Sequence, residues 1–393
     1  MELRFRNPGS QADFTAFWGA DYGNVTAQNP LDWRPGVSDP IFASGPGLKG
    51  LLRRSTEPRV ERRMGKQKVL VVDDEETIRH ALERMLKRED LEVTTAADGE
   101  AGLVAFDKIK PDLVLLDIMM PKLNGLQVCE RIKSTPEGQL IPVIILTSSS
   151  SVENRIRGTE TGADDFLSKP FERFELVTRV KSLLRIKRYI DELDRAETVL
   201  CALARAIEGK DPYTEGHCER LAVGAEALGR RLGMPDEEVV ALSRSGILHD
   251  IGKVAVPDAI LLKKGPLTDQ EAAIMREHPV VGERICSGLK SFRLVLPIIR
   301  HHHEKANGTG YPDGLRGDEV PRTARVLQII DVYDALRTSR PYKEAFSLEM
   351  TLRIMQEEVE KGWWDPEIFG EFRELLKEGF QMTDVDVRNS IAS

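Results

Sequence analysis

Apolar and polar positions fall into three regimes along the chain. Residues 1–64 show neither a helical nor a strand period and are rich in Pro, Gly and Asn, which predicts a disordered tail. From Lys66 onward short apolar runs alternate with amphipathic stretches. "KVLVVDD", "EVTTAA", "DLVLLDI", "PVIILTS" and "DDFLSKP" predict five strands, with helical segments such as "TIRHALERMLKRE" and "GLQVCERIKS" between them. Apolar runs separated by helices predict a parallel sheet covered on both faces, an α/β domain over residues 66–186. Its last helix, "RFELVTRVKSLL", runs on with a three-to-four spacing through Leu183, Ile186, Ile190, Leu193 and Leu200, interrupted at Glu197. Such a pattern suits a connecting helix over 187–206 that either packs on its own domain or pairs two copies as a short coiled coil, and a homodimer is the expectation. Residues 207–383 carry helical periods without strand signals, predicting an all-α bundle, and 384–393 form a C-terminal tail. Because "MGKQKVLVVDD" opens directly into a strand, translation is expected to start at Met64.

Composition narrows the class. The 393 residues suffice for two or three domains, and 41% hydrophobic with 31% charged residues describes a globular protein. A net charge of −8 argues against DNA or a membrane surface as partner. No apolar run approaches the roughly 18 residues of a membrane-spanning helix, and "MELRFRNPGS" lacks a secretory core. Cys129, Cys201, Cys218 and Cys286 stand far apart, as expected of reduced thiols in a cytoplasmic protein.

In an open parallel sheet, functional groups collect at the carboxyl ends of the strands. Asp73 and Asp74 end the first predicted strand, Asp117 the third, Thr147 the fourth and Lys169 the fifth. They are either solvated strand ends or a pocket that gathers Mg²⁺, with Asp117 positioned to attack a phosphoryl group and Lys169 to neutralise its oxygens. On "VVDDE", "DLVLLDIMMPKLNG", "ILTS" and "FLSKPF" this segment resembles the receiver domain of two-component response regulators. The resemblance implies a five-stranded flavodoxin-like fold, phosphorylation of Asp117 by a sensor histidine kinase and Mg²⁺ held by Asp73 and Asp74. It also places Thr147 and Phe166 at the switch positions and a cis bond at Lys169–Pro170.

Six of the seven histidines lie between residues 217 and 303. His217 shares a helical stripe with Leu221, Ala225 and Leu228, behind an expected N-cap at Asp211 and Pro212. His249 and Lys253 continue the inward face of Val239, Leu242 and Gly246, with Asp250 flanking it. A capping box, Thr268 to Glu271, opens the helix that is expected to bring His278 inward and to stop at Pro279. His302 and His303 follow "LVLPIIR", and Asp331 follows "VLQII". One such histidine suggests a hydrogen-bonded core residue, but the whole set beside two aspartates is costly to bury unless a metal joins it. Imidazole with carboxylate suits iron, manganese or zinc, with a preference for Fe or Mn over softer choices.

Residues from about 190 to 383 resemble an HD-GYP domain, the helical HD-superfamily phosphodiesterase that hydrolyses cyclic di-GMP, on His249-Asp250, Gly310-Tyr311-Pro312, "HDIGKVAVPD", "HHEKANGTGYPDGL" and "DVYDALRTSRPYK". The resemblance implies a binuclear metal site of His217, His249, Asp250, His278, His302, His303 and Asp331, with His301 outside it. Lys253 and Asp250 carry catalysis in that reading, and Tyr311, Arg340 and Lys343 bind substrate. Alternatively Tyr311 only braces its loop and Arg340 pairs with Asp334. The sequence departs from the family pattern at Tyr213, where a third-metal ligand can stand, at Asn307 and at Arg337. A regulated cyclic di-GMP phosphodiesterase is therefore expected. The alternatives are a phosphohydrolase for another nucleotide and a signalling adaptor without turnover.

Overall fold

The computed structural model describes residues 65–148, 161–210, 216–339 and 344–382. The tail over 1–64, the Asp211–Pro212 cap, Tyr213, Arg340, Lys343 and the tail from 384 lie outside the described residues. Two compact units part between Arg188 and Tyr189.

In the first unit five parallel strands, β1 (Lys68–Val72), β2 (Glu92–Ala96), β3 (Leu113–Asp117), β4 (Val143–Thr147) and β5 (Asp165–Ser168), stand in the order β2-β1-β3-β4-β5. Every residue of β3 and β4 is buried, because helices cover both faces. Alternation along the strands splits the core in two. Leu70, Val114, Leu116 and Ile145 pack with α2 (Gly99–Ile109) and α3 (Gly125–Lys133). Val69, Leu113, Leu115 and Leu146 pack with α1 (Glu76–Lys87) and with Leu176, Val180 and Leu184 at the start of α4 (Arg173–Glu208). Asn124 and Gln127 close a capping box at the start of α3. A Cβ on Gly125 would stand 2.1 Å from the Asp117 carbonyl oxygen, so this helix is packed directly beneath the end of β3.

The described part of the second unit is built from helices: α5 (His217–Arg231), α6 (Asp236–Leu248), α7 (Asp269–Met275), α8 (His278–Cys286), α9 (Leu296–His301), α10 (Arg322–Arg337), α11 (Leu348–Glu360) and α12 (Pro366–Lys377). Leu221, Ala225 and Leu228 face its core as their spacing predicts. Gly246 of α6 lets the backbone of α5 approach, since a Cβ there would lie 2.4 Å from the Ala222 nitrogen. Most of α10 is buried around its circumference, which makes it the central helix and carries Asp331 and Asp334 inward.

Two local expectations are corrected. The chain does not continue one helix from Val239 to Lys253: α6 ends at Leu248, and Ile251–Ala255 forms a 3-10 turn. The turn brings Gly252 against α8, where a Cβ would meet the His278 oxygen at 1.9 Å. Nor does Pro279 stop a helix. It occupies the first turn of α8, where the missing N–H costs nothing and the fixed φ suits the start.

Candidate metal centre and phosphoacceptor edge

At the carboxyl edge of the sheet, Lys169 Nζ lies 2.7 Å from Asp73 Oδ2 and 2.5 Å from Asp117 Oδ1. Asp73, Asp117 and Thr147 are buried, and Asp74 is exposed beside them. Asp73 Oδ1 accepts the Glu75 N–H, and Asp117 Oδ2 accepts that of Met119. Burial pushes the Asp117 carboxyl above its ordinary range, against the pull of Lys169, and the Asp73 charge adds to the push. Burial also opposes the charge on Lys169, but the two aspartates more than restore it. One ammonium is left facing two buried carboxylates and a third nearby, a set that fits a hard divalent cation with oxygen ligands. Phe166 is half-buried against the α2–α3 side of the core, and the Lys169–Pro170 bond is cis.

In the helical unit the seven expected ligands fall into two adjoining sets. Asp250, His278, His302 and His303 form one; His217, His249 and Asp331 form the other. Within each set every donor atom lies within 4.8 Å of the rest. The sets meet where the His249 and His302 rings contact edge-on at 5.1 Å, and where His249 Nε2 stands 3.2 Å from Asp250 Oδ2.

Helix ends orient the rings. His249, His278 and His302 direct Nδ1 at the backbone oxygens of Gly246, Met275 and Ile299, at 3.1, 2.8 and 2.7 Å. A carbonyl only accepts, so Nδ1 carries the hydrogen and a neutral ring presents its Nε2 lone pair inward. His278 Nε2 and His302 Nε2 face each other at 3.3 Å, and buried Asp250 Oδ1 makes no hydrogen bond although it stands 3.1 Å from the former. A shared proton could relieve one such pair. A divalent ion relieves all four donors of the set together, so the residues fit a metal.

The charges agree. Burial and the neighbouring imidazoles hold His302 and His303 well below the usual histidine range, which keeps them neutral. Burial disfavours the Asp250 charge, but Lys253 and the His249–His278 side outweigh it and keep the carboxylate ionised. Lys253 Nζ donates to Asp250 Oδ2 at 2.7 Å. Tyr311 stacks on His303 at 4.7 Å and 25°, which places the Gly310-Tyr311-Pro312 loop beside the ligand set. His301 points away to Asp313 at 3.1 Å, outside both sets. Asn307 accepts from the Thr309 N–H and hydroxyl, which closes the turn ahead of Gly310.

Three supporting roles escaped the sequence reading, those of Asp334, Arg220 and Glu304. Asp334 accepts from His217 Nδ1 at 2.7 Å and from Arg220 at 2.6 and 3.0 Å. Its position one turn beyond Asp331 was the available signal. Glu304, fully buried, accepts the N–H groups of Asp313, Gly314 and Leu315 and thereby holds the loop after Tyr311 from within.

A response regulator receiver domain model matches residues 69–181, and an HD domain model matches residues 202–368. The cyclic di-GMP phosphodiesterase response regulator RpfG of Xanthomonas campestris pv. campestris (strain 8004) is 34% identical over 310 residues, 73% of this chain and 82% of the relative. The chain belongs to the response regulators that join a receiver domain to an HD domain. A cyclic di-GMP phosphodiesterase of Thermotoga maritima is 31% identical over 81% of this chain and 92% of its own length. A 3′3′-cGAMP-specific phosphodiesterase of Vibrio cholerae is 37% identical over 46% of this chain and 39% of the relative. Five parallel strands followed by a helical HD domain are thus present as the sequence pattern predicted. Among the described residues no helix is long and apolar enough to cross a membrane.

Proposed function

We propose that the HD domain hydrolyses cyclic di-GMP at a binuclear site and that phosphorylation of Asp117 by a sensor histidine kinase controls it. The reading is carried by the two adjoining donor sets that meet at His249, Asp250 and His302. Divalent ions bound there, with Fe or Mn favoured by the imidazole–carboxylate donors, supply Lewis-acid activation of water and of the phosphoryl oxygens.

The chain's own residues do the rest. Carbonyls behind His249, His278 and His302 fix each ring, and Asp334 fixes His217. Asp250 faces both sets, and Lys253 holds a proton 2.7 Å from it, positioned to meet the charge developing on a departing oxygen. Tyr311 forms a wall against His303, and Arg340 and Lys343 are assigned to the substrate phosphates. In the receiver, Asp117 accepts the phosphoryl group while Mg²⁺ bound by Asp73 and Asp74 supplies charge neutralisation, with Lys169 paired to Asp117.

The connecting segment of α4 leaves Ile186, Tyr189 and Leu193 about half exposed at three-to-four spacing, which supports pairing of two copies there. Four buried free thiols support a cytoplasmic location. The relative named for 3′3′-cGAMP supports a second reading in which another cyclic dinucleotide is cut. Product-resolved turnover with protein of measured iron and manganese content tests the proposal. Cyclic di-GMP should be opened by loaded protein and left intact by a His249→Ala, Asp250→Ala variant; an intact dinucleotide with fully loaded wild type refutes it.

A further inference from the structure

Arg276 ends α7 two residues before His278. Its Nε is buried and makes no hydrogen bond, and among the described residues its guanidinium has no carboxylate partner. Other partly buried arginines of this unit are paired: Arg220 with Asp334, Arg300 with Glu283 and Asp313, Arg325 with Asp365. The guanidinium stands over the ring of Tyr311 at 5.8 Å, and that ring stacks on His303. A guanidinium whose Nε is buried and unbonded beside an aromatic face has given up part of its solvation without gaining a counter-charge among the described residues. It sits one ring away from a donor set built for phosphoryl chemistry.

We infer that Arg276 binds the second phosphodiester of a cyclic dinucleotide, in a subsite walled by Tyr311, while the first lies at the metal donors. The inference rests on the cyclic-dinucleotide reading of the site. Phosphate is the anionic group such a substrate offers, and the guanidinium fork matches two of its oxygens. A cyclic dinucleotide holds its two phosphates in one ring, so a cation close to the metal donors can reach the second in addition to the assigned Arg340 and Lys343. Arg276, reached from His303 through Tyr311 alone, is in that position.

The test compares wild type with Arg276→Met, which keeps the apolar stem, and Arg276→Lys. The probes are cyclic di-GMP, 3′3′-cGAMP and bis(p-nitrophenyl) phosphate, a diester with no second phosphate. Arg276→Met should raise KM for the cleaved dinucleotide about ten- to hundredfold, the scale of one charge-assisted hydrogen-bond set, with kcat held within about twofold. Turnover of bis(p-nitrophenyl) phosphate and metal content should stay at wild-type levels, and Arg276→Lys should recover part of the loss. An unchanged KM overturns the assignment. So does an equal loss on the simple diester or a loss of metal, either of which marks a purely structural role. If wild type cuts 3′3′-cGAMP rather than cyclic di-GMP and the variant raises that KM, the cyclic di-GMP reading falls and the Arg276 subsite stands. If wild type cuts neither dinucleotide, both fall.

Discussion

Replacing Asp334 by Asn removes one charge at nearly constant shape and isolates what this carboxylate does for His217. Burial by itself would raise the Asp334 pKa, yet the bonds from His217 and Arg220 hold it down to about 2, against an ordinary 3.8. A depression of roughly two units corresponds to about 2.5 kcal/mol, at ~1.4 kcal/mol per unit. Asp334 is 4% exposed, so solvent screening takes little from that figure. Because the folded value lies below the unfolded one, the contribution is complete above about pH 4 and vanishes as pH falls through about 2. The variant should therefore lose about 2 kcal/mol near neutral pH and lose the part of the acid dependence that belongs to this group. Its His217 ring also loses the acceptor that fixes it, which should weaken metal binding about ten- to hundredfold. Urea unfolding followed through the fluorescence of Trp363 and Trp364 reads the first effect, and chelator competition reads the second. A wild-type urea midpoint together with an unchanged chelator titration would refute the reasoning.

Other consequences are as direct. Asp117→Asn should abolish phosphoryl uptake from acetyl phosphate, read by phosphate-affinity electrophoresis. It should also raise receiver stability at neutral pH, because a carboxyl whose pKa is raised on folding loses stability as pH climbs past its ordinary value. Gly252→Ala drives a methyl group to within 1.9 Å of the His278 oxygen, so a cost of about 1–3 kcal/mol or more and a drop in bound metal are expected from thermal melts and elemental analysis. Ile186→Glu with Leu193→Glu should turn a dimer into a monomer in light scattering; an unchanged mass would rule out pairing through this helix.

The parts of the fold readable in advance were those set by local periodicity. β3 and β4 announce themselves as apolar runs because both faces are covered, and the Thr268–Glu271 box is closed by neighbours three residues apart. Some of the histidines stood out for a related reason: His217 shares a helical stripe with Leu221, Ala225 and Leu228, and His249 ends the apolar face of α6, where an imidazole is costly to bury. What the pattern could not supply was the direction of the chain at helix ends. Whether Pro279 closes one helix or opens the next depends on where α8 meets Gly252, a contact between segments some 26 residues apart. Glu304 was illegible because nothing local distinguishes a carboxylate that faces three backbone N–H groups from one that faces water, and for Asp334 only its place one turn beyond Asp331 hinted at an inward role. Arg276 is one more basic residue at a helix end in the sequence; only the fold brings it over Tyr311 and leaves its Nε buried without a hydrogen bond.

The carboxylate of Glu304 gathers three successive amides from inside the protein, so the backbone after Tyr311 takes its shape when the domain folds. An incoming nucleotide then meets a rigid mould rather than a strand it must first order. The conformational entropy of that stretch has already been surrendered, and more of each new contact is left to hold the ligand.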